Sequence, residues 1–286
     1  MIELINGECL DIMSKMDNQS IDMIFCDLPY GTTRNDWDSI IPLEKLWEQY
    51  NRIIKENGAI VLTAANPFDK ILAYSNMKDY KYDWVWHKNK ATGHLNSKKL
   101  PLKAHEYILI FYKKPPTYNP QYTFGHKPMN KVSAKKIVPP LEKLRNYGHV
   151  NSQNGNEGGS TVRLPRTVLD IPVINNDNPL KFHPTQKPTE LAEYFIKTYS
   201  NENDTILDNC MGSGSTAIAC LNTKRKFIGI EINEEYYIKA KDWFEKESEK
   251  MKDYHTWMRK NENENAEAYF HYSDADMFSE YLKQNK

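Results

Sequence analysis

The chain has 286 residues, 40% of them hydrophobic and 27% charged, with 38 Lys plus Arg against 38 Asp plus Glu. That is enough chain to bury a sizeable core, and the balance is that of a globular protein. No run of apolar residues is long enough for a membrane span, and Met1-Ile2-Glu3-Leu4 does not lead a basic region into an apolar block, so neither a membrane anchor nor a signal peptide is expected.

The first half alternates strand and helix signals. Ile2 to Asn6 reads as a short strand and Cys9 to Met16 as a helix. Ile21 to Cys26 is an unbroken apolar run, the pattern of a buried strand. It ends in Asp27-Leu28-Pro29-Tyr30, which delivers a carboxylate, a proline and an aromatic ring to the strand's C-terminal edge. In open α/β sheets that edge binds ligands. These groups suit a planar base with an exocyclic amine: Tyr30 stacks on it, while Asp27 and the Leu28 carbonyl accept its hydrogens. Pro42 opens a helix expected to stop at Asn57-Gly58. A strand over Ala59 to Thr63 and a helix over Pro67 to Met77 follow. Tyr82 to His87 and Glu106 to Tyr112 suggest the antiparallel edge common on such sheets.

Prolines, glycines and asparagines then dominate from Lys113 to about Lys181, with Asn151 to Ser160 expected to be a mobile loop. Alternation resumes with a helix over Leu191 to Tyr199, a strand over Thr205 to Cys210, a helix over Gly214 to Asn222, a strand over Phe227 to Ile232 and a charged helix over Glu234 to Glu249. Such alternation predicts a doubly wound α/β sheet interrupted by an insertion. The four expected segments are 1–112, 113–181, 182–250 and a polar appendage, 251–286.

Charge is uneven along the chain. Tyr80 to Val150 holds fourteen Lys plus Arg and three acids (14 − 3 = +11), whereas Glu231 to Lys286 holds nine and fourteen (9 − 14 = −5). The basic middle points to a polyanionic partner. Cys9, Cys26, Cys210 and Cys220 form no CxxC pair and read as reduced core thiols of a cytoplasmic protein, with no metal site.

Two further motifs carry chemistry. Met211-Gly212-Ser213-Gly214-Ser215-Thr216 follows a strand and opens a helix, and the next strand ends at Glu231. Glycines at such a turn admit a ligand to the backbone, and an acid at the next strand end is placed for ribose hydroxyls. His183-Pro184-Thr185-Gln186-Lys187-Pro188 is a loop fixed by two prolines, with Lys187 offering a cation.

In type and order the three motifs resemble the beta class of DNA amino-methyltransferases, adenine-specific in type, which includes restriction–modification and bacteriophage enzymes. The resemblance spans Ile2 to about Asp242. It implies a doubly wound, mostly parallel Rossmann-like methyltransferase sheet with an antiparallel edge strand and an inserted target-recognition region. It implies transfer of a methyl group from S-adenosylmethionine to the adenine N6 of double-stranded DNA, with the base flipped out. Asp27, Leu28, Pro29 and Tyr30 would be catalytic. Glu8, Cys9, Asp27, Thr185, Lys187, Asp208, Gly212, Ser213, Gly214, Ser215 and Glu231 would bind the cofactor, Thr185 and Lys187 at its methionine end and Glu231 at the ribose. Lys127, Lys131, Lys135, Lys136, Lys143 and Arg145 would meet DNA phosphates, and Arg163 and Arg166 guanine edges.

There are three departures from the family pattern. Leu28 replaces a proline, Asn209-Cys210 replaces Pro-Phe, and Glu8 replaces Asp; none removes a catalytic group. A homodimer and a cognate restriction enzyme stay open as partners. So do three other functions: cytosine-N4 methylation, methylation of RNA or a protein glutamine, and a DNA-binding protein whose catalytic site has decayed.

Overall fold

The computed structural model describes residues 1–31, 40–131 and 158–261, with side chains up to 253. The chain forms two compact units: Met1–Asn119 with Val168–Lys286, and Pro120–Thr167.

The larger unit is built on an eight-stranded sheet. Its elements are β1 (Ile2–Asn6), α1 (Cys9–Met13), β2 (Ile21–Asp27), α2 (Leu43–Ile53), β3 (Ile54–Ala64), α3 (Phe68–Ser75), β4 (Tyr80–Thr92), β5 (Lys103–Phe111), β6 (Val168–Asp170), α4 (Thr189–Tyr199), β7 (Thr205–Asp208), α5 (Ser215–Asn222), β8 (Lys226–Glu231) and α6 (Glu234–Asn261). The strand order is β1-β8-β7-β2-β3-β5-β4-β6. All pairings are parallel except β3–β5 and β5–β4. The doubly wound α/β class is thus the observed one.

Both faces of the sheet are covered, which is why β2 reads as unbroken apolar sequence. Ile24 and Cys26 pack with Leu46, Trp47, Tyr50 and Phe68 of α2 and α3. Met23 and Phe25 point the other way, to Leu191, Phe195, Ala217 and Ala240 of α4, α5 and α6. Chain direction across the sheet reverses between β2 and β7. From β2 the chain moves to β3 on one side, and from β7 to β8 on the other. This neighbouring pair is the topological switch point, where the loops diverge and leave a crevice.

Three details differ from the sequence reading. The antiparallel strand, β5, is not at the edge; it lies between β3 and β4, and the three-residue β6 takes the edge. β6 is held by tertiary contacts: it pairs with Val85–His87, Trp86 Nε1 donates to the Ile171 carbonyl at 2.7 Å, and His87 meets Asp170 at 2.6 Å. Secondly, α2 stops at Ile53, and Asn57-Gly58 lies within β3. Pairing jumps from Ile21↔Ile54 to Met23↔Ala59, so the extra β3 residues bulge outward. A Cβ on Gly58 would sit 2.8 Å from the Asp22 carbonyl oxygen, which only glycine avoids. Finally, α6 runs on to Asn261, twelve residues beyond its expected end at Glu249, so it enters the segment taken as an appendage. The rest of that segment, and the loop expected to be mobile up to residue 157, lie outside the described residues.

The smaller unit is narrower than the expected 113–181 insertion. Thr123 and Arg163 form an antiparallel bridge. No described helix is long and apolar enough to cross a membrane, and the described residues hold no group of three or more potential metal ligands.

Candidate active site

β2 and β7 end side by side, and their C-terminal loops open into a cavity of about 1060 Å³. At one end lies Asp27, the last residue of β2. Its Oδ1 accepts from the Tyr30 hydroxyl at 2.6 Å and from the Thr63 hydroxyl, and its Oδ2 accepts from Lys187 Nζ at 2.5 Å. Thr63 reaches Asp27 because β3 pairs in register with β2, Asp27 opposite Thr63. Tyr30 is clamped at both ends: its ring lies on Phe68 (5.4 Å, 26°), and its hydroxyl also meets Thr63 Oγ1 at 3.0 Å. Leu28 is buried and anchors the loop in the α2–α3 face of the core.

Lys187 sits in a chain of buried charges. Its ammonium is 3.4 Å from Glu106 Oε2, and Glu106 Oε1 accepts from Lys88 Nζ at 2.7 Å. Burial opposes ionisation of Glu106, but the two lysines outweigh it and hold the carboxyl below its usual range. Burial likewise disfavours the Lys187 ammonium, yet Asp27 and Glu106 hold its pKa above the ordinary lysine range.

The other end is built around the glycine turn. Asp208 closes β7 and clamps the turn from below: Oδ2 accepts from Thr216 Oγ1 at 2.6 Å and Oδ1 from the Cys210 amide at 3.2 Å. Burial pushes the Asp208 carboxyl up to about 7 despite these bonds. Glu231 closes β8 and accepts from the Gly212 amide and the Asn233 amide, both at 2.8 Å; burial raises its pKa too. Gly212 and Gly214 are left-handed, with φ of +50° and +78°. A Cβ on Gly212 would come 3.5 Å from His183 Nε2, so the turn packs directly on the His183–Pro188 loop.

That loop is braced internally. His183 Nδ1 meets the Thr185 hydroxyl at 3.2 Å, its ring packs on Tyr236 at 4.3 Å, and burial pulls its pKa down to about 4. Gln186 accepts from the Phe182 amide and donates to the Leu180 carbonyl. The loop thereby delivers Lys187 to Asp27, at the wall of the cavity.

Glu8 caps α1, accepting from the Asp11 amide at 2.8 Å, and it lines the cavity with Cys9. Asn209 accepts from the buried Tyr50 hydroxyl at 2.5 Å, a bond that the proline of the family pattern could not make. Cys210 is the half-buried thiol of the four free cysteines.

The cavity therefore brings together Asp27, Leu28, Pro29, Tyr30, Glu8, Cys9, Thr185, Lys187, Asp208, Gly212, Ser213, Ser215 and Glu231. Gly214 instead caps α5 behind the cavity wall. Sequence reasoning missed Thr63, Glu106 and Lys88, and also the basic rim of Lys90, Lys103 and His105. Strand parity gives no signal for Glu106, because Leu109 and Phe111 are as buried as Ile108 and Ile110.

Among the residues expected on DNA, Lys127, Lys131 and Arg166 are exposed. Arg163 is a correction. Its terminal nitrogens donate to the Ser160, Val162 and Lys127 carbonyls, so it braces its own unit instead of presenting those nitrogens to a guanine. Lys135, Lys136, Lys143 and Arg145 lie outside the described residues.

A glycine turn between two strand-end carboxylates, with a third carboxylate across a switch-point crevice, is the ligand-site arrangement of Rossmann-like α/β enzymes. Residues 21–242 match the N6/N4 methyltransferase family model, described as DNA methylase. The chain belongs to this DNA methylase family, and it is an enzyme that methylates DNA. It is 26% identical over 259 residues to the type II methyltransferase M1.MboII of Moraxella bovis, covering 81% of this chain and 92% of that one. It is 29% identical over 246 residues to the DNA adenine methyltransferase YhdJ of Escherichia coli K12, covering 82% and 79%. Its fold matches that of M1.HpyAVI in complex with SAM (TM-score 0.58, 24% identity, 85% and 99% covered). It also matches the cytosine-N4-specific PvuII DNA methyltransferase (TM-score 0.59, 15% identity, 83% and 84% covered).

Proposed function

We propose that this enzyme transfers a methyl group from S-adenosylmethionine to the N6 amine of a flipped adenine in double-stranded DNA. The observation that carries the reading is the juxtaposition of Asp27 and the Gly212 turn in one cavity at the β2/β7 switch point. Its support for adenine is the acid that opens the Asp27–Tyr30 motif, together with the similarity to YhdJ.

The cofactor end suits the ligand. S-adenosylmethionine bears a sulfonium, an ammonium and ribose hydroxyls, and this end of the cavity carries Glu8, Asp208 and Glu231 beside the Gly212 turn. When bound there, it supplies an electrophilic methyl group. The protein's own part is positioning and electrostatics. An adenine amine is a poor nucleophile because its lone pair is delocalised into the ring. Asp27 and the Leu28 carbonyl, by accepting its two hydrogens, favour the pyramidal form and stabilise the positive charge that develops on nitrogen. Tyr30, already backed by Phe68, offers its remaining face to the flipped base. Flipping costs a few kcal/mol, and such stacking returns roughly 1–3 kcal/mol. Lys90, Lys103 and His105 on the cavity rim suit DNA phosphates; Lys127, Lys131, Lys135, Lys136, Lys143 and Arg145 are proposed for phosphates as well, and Arg166 for a guanine edge. A homodimer and a restriction enzyme cutting the same sequence are the partners this reading proposes; light scattering and cleavage protection test them.

The experiment is transfer of tritium from labelled cofactor to duplex DNA, then nucleoside analysis and mapping of the modified site. Labelled N6-methyladenine is expected. Labelled N4-methylcytosine as sole product overturns the adenine assignment, and incorporation only into RNA or protein overturns the DNA reading.

A further inference from the structure

We propose that Glu106 is a second seat for the Lys187 ammonium, and that methyl transfer requires this ammonium to leave Asp27 for it. The inference rests on the reading of Asp27 as acceptor of the target amine.

As the site stands, both oxygens of Asp27 already accept hydrogen bonds. Oδ1 holds the Tyr30 and Thr63 hydroxyls, and Oδ2 holds Lys187 at 2.5 Å. A base whose amine approaches Asp27 competes with Lys187 for Oδ2. A cation on that oxygen also opposes the positive charge that grows on the nitrogen during transfer, the reverse of what the transition state needs. Lys187 does not escape by losing its proton, since the two carboxylates around it keep it charged. It must move.

Among the described residues, Glu106 offers a destination within reach. Glu106 Oε2 is buried and makes no hydrogen bond, although it lies 3.4 Å from Lys187 Nζ. Buried acceptors left unmade are costly and uncommon. The other oxygen, Oε1, is held by Lys88 at 2.7 Å, and both side chains are largely buried. Glu106 is thus kept charged and fixed by one lysine while a lone pair faces the other. A swing of Nζ by about 1 Å or more, within the reach of a flexible lysine stem, takes it out of hydrogen-bond range of Asp27 and turns the 3.4 Å separation from Glu106 into an ordinary hydrogen bond. Nothing else in the cluster has to rearrange: Tyr30 and Thr63 keep Asp27 oriented through Oδ1 while Oδ2 is released to the base. Lys187 then acts as a plug on the empty site, and Glu106 as the positioning residue that withdraws it.

Glu106→Gln tests this, because it keeps the shape and an acceptor for Lys88 but removes the charge that draws Lys187 away. With S-adenosylhomocysteine binding unchanged within about twofold, kcat is expected to fall roughly 30-fold or more. The decisive variant adds Lys187→Met to Glu106→Gln. Removing the plug that the neutral amide can no longer withdraw should raise kcat at least about fivefold over the single variant. A Glu106 that only supports the fold predicts the opposite sign, a double variant slower than the single one. Equal or lower activity of the double variant overturns the proposal, as does a fully active Glu106→Gln. Should Glu106→Gln fail to bind S-adenosylhomocysteine, the wild-type complex decides. A crystal structure with S-adenosylhomocysteine and a duplex carrying the mapped site should show Lys187 Nζ bonded to Glu106, and Nζ still bonded to Asp27 with the base in place overturns it. A wild-type enzyme that transfers no methyl group to DNA refutes the underlying reading, an outcome distinct from all of these.

Discussion

The two ends of the cavity are built on different principles. At the cofactor end, carboxylates hold backbone: Asp208 clamps the turn after β7 and Glu231 grips the Gly212 amide. At the amine end, side chains hold one another, with Asp27 tied to Tyr30, Thr63 and Lys187, and Lys187 next to Glu106. The first design is rigid, because its hydrogen bonds fix main chain at strand ends. The second is a cluster of two acids and two bases around flexible lysine stems, able to redistribute charge when a substrate arrives. A methyl donor needs a fixed seat, whereas the amine must be admitted, polarised and released. The difference between the two ends follows that division.

The sharpest way to separate the ends is Asp27→Ala. It removes the acceptor at the amine end and leaves the glycine turn intact. Turnover should fall by roughly 10²–10³-fold with cofactor affinity held within about twofold. Calorimetry and methyl-transfer rates on one preparation check this, and undiminished turnover refutes the role of Asp27. Gly212→Ala is the converse. Its left-handed φ of +50° costs an alanine about 1–2 kcal/mol, and the methyl group would press towards the His183 ring. Cofactor affinity should drop and melting temperature fall, both measurable without DNA.

pH offers a third separation. Asp208 titrates near 7 in the folded protein, well above its ordinary value of about 3.8. Below that ordinary value it is protonated in both the folded and unfolded states and carries no penalty. Between about 3.8 and about 7 the unfolded chain releases this proton while the folded chain keeps it, so Asp208's contribution to stability is lost across that window, against the opposite contribution of His183, whose pKa is pulled down to about 4. A cationic cofactor favours the ionised form, so its affinity should rise with pH and level off above about 7. Asp208→Asn should flatten both trends. Melting curves and calorimetry at about pH 5, inside that window, and at about pH 8, above it, read them, and an Asn variant that keeps the wild-type slope assigns the effect elsewhere.

The cofactor end was also the more legible in sequence, and the reason is physical. Its groups lie within a few residues of strand ends, where glycines and acids stand out against apolar runs. Asp27 was legible on the same grounds. The network around it was not, because its members are joined by sheet register and loop docking. Lys187 meets Asp27 across 160 positions, and Glu106 follows a basic stretch in which a lone acid reads as surface. Parity does not mark it either, since Leu109 and Phe111 are as buried as Ile108 and Ile110. β6 was invisible because three residues in a proline- and asparagine-rich stretch carry little propensity of their own, and pairing with β4 makes them a strand. Asn57-Gly58 misled for a related reason: the same two letters that end helices also relieve a bulge. Arg163 looked like a base reader, but its terminal nitrogens serve its own backbone.

The smallest effect is the most discriminating. Thr63 is fully buried, and its hydroxyl touches both Asp27 and Tyr30. Thr63→Val keeps the shape and removes that hydroxyl, leaving Asp27 Oδ1 with Tyr30 alone. One hydrogen bond to a charged group is worth about 1.5–3 kcal/mol, but Tyr30 remains to orient the carboxylate. The expected loss in turnover is therefore at the lower limit, about tenfold, with a small drop in melting temperature. Cofactor affinity should not change, since Thr63 does not reach the glycine turn. If the change instead weakens cofactor binding while sparing turnover, the ends are mechanically coupled through the β2–β3 pairing, and the division between a fixed seat and a responsive one fails at the strand they share.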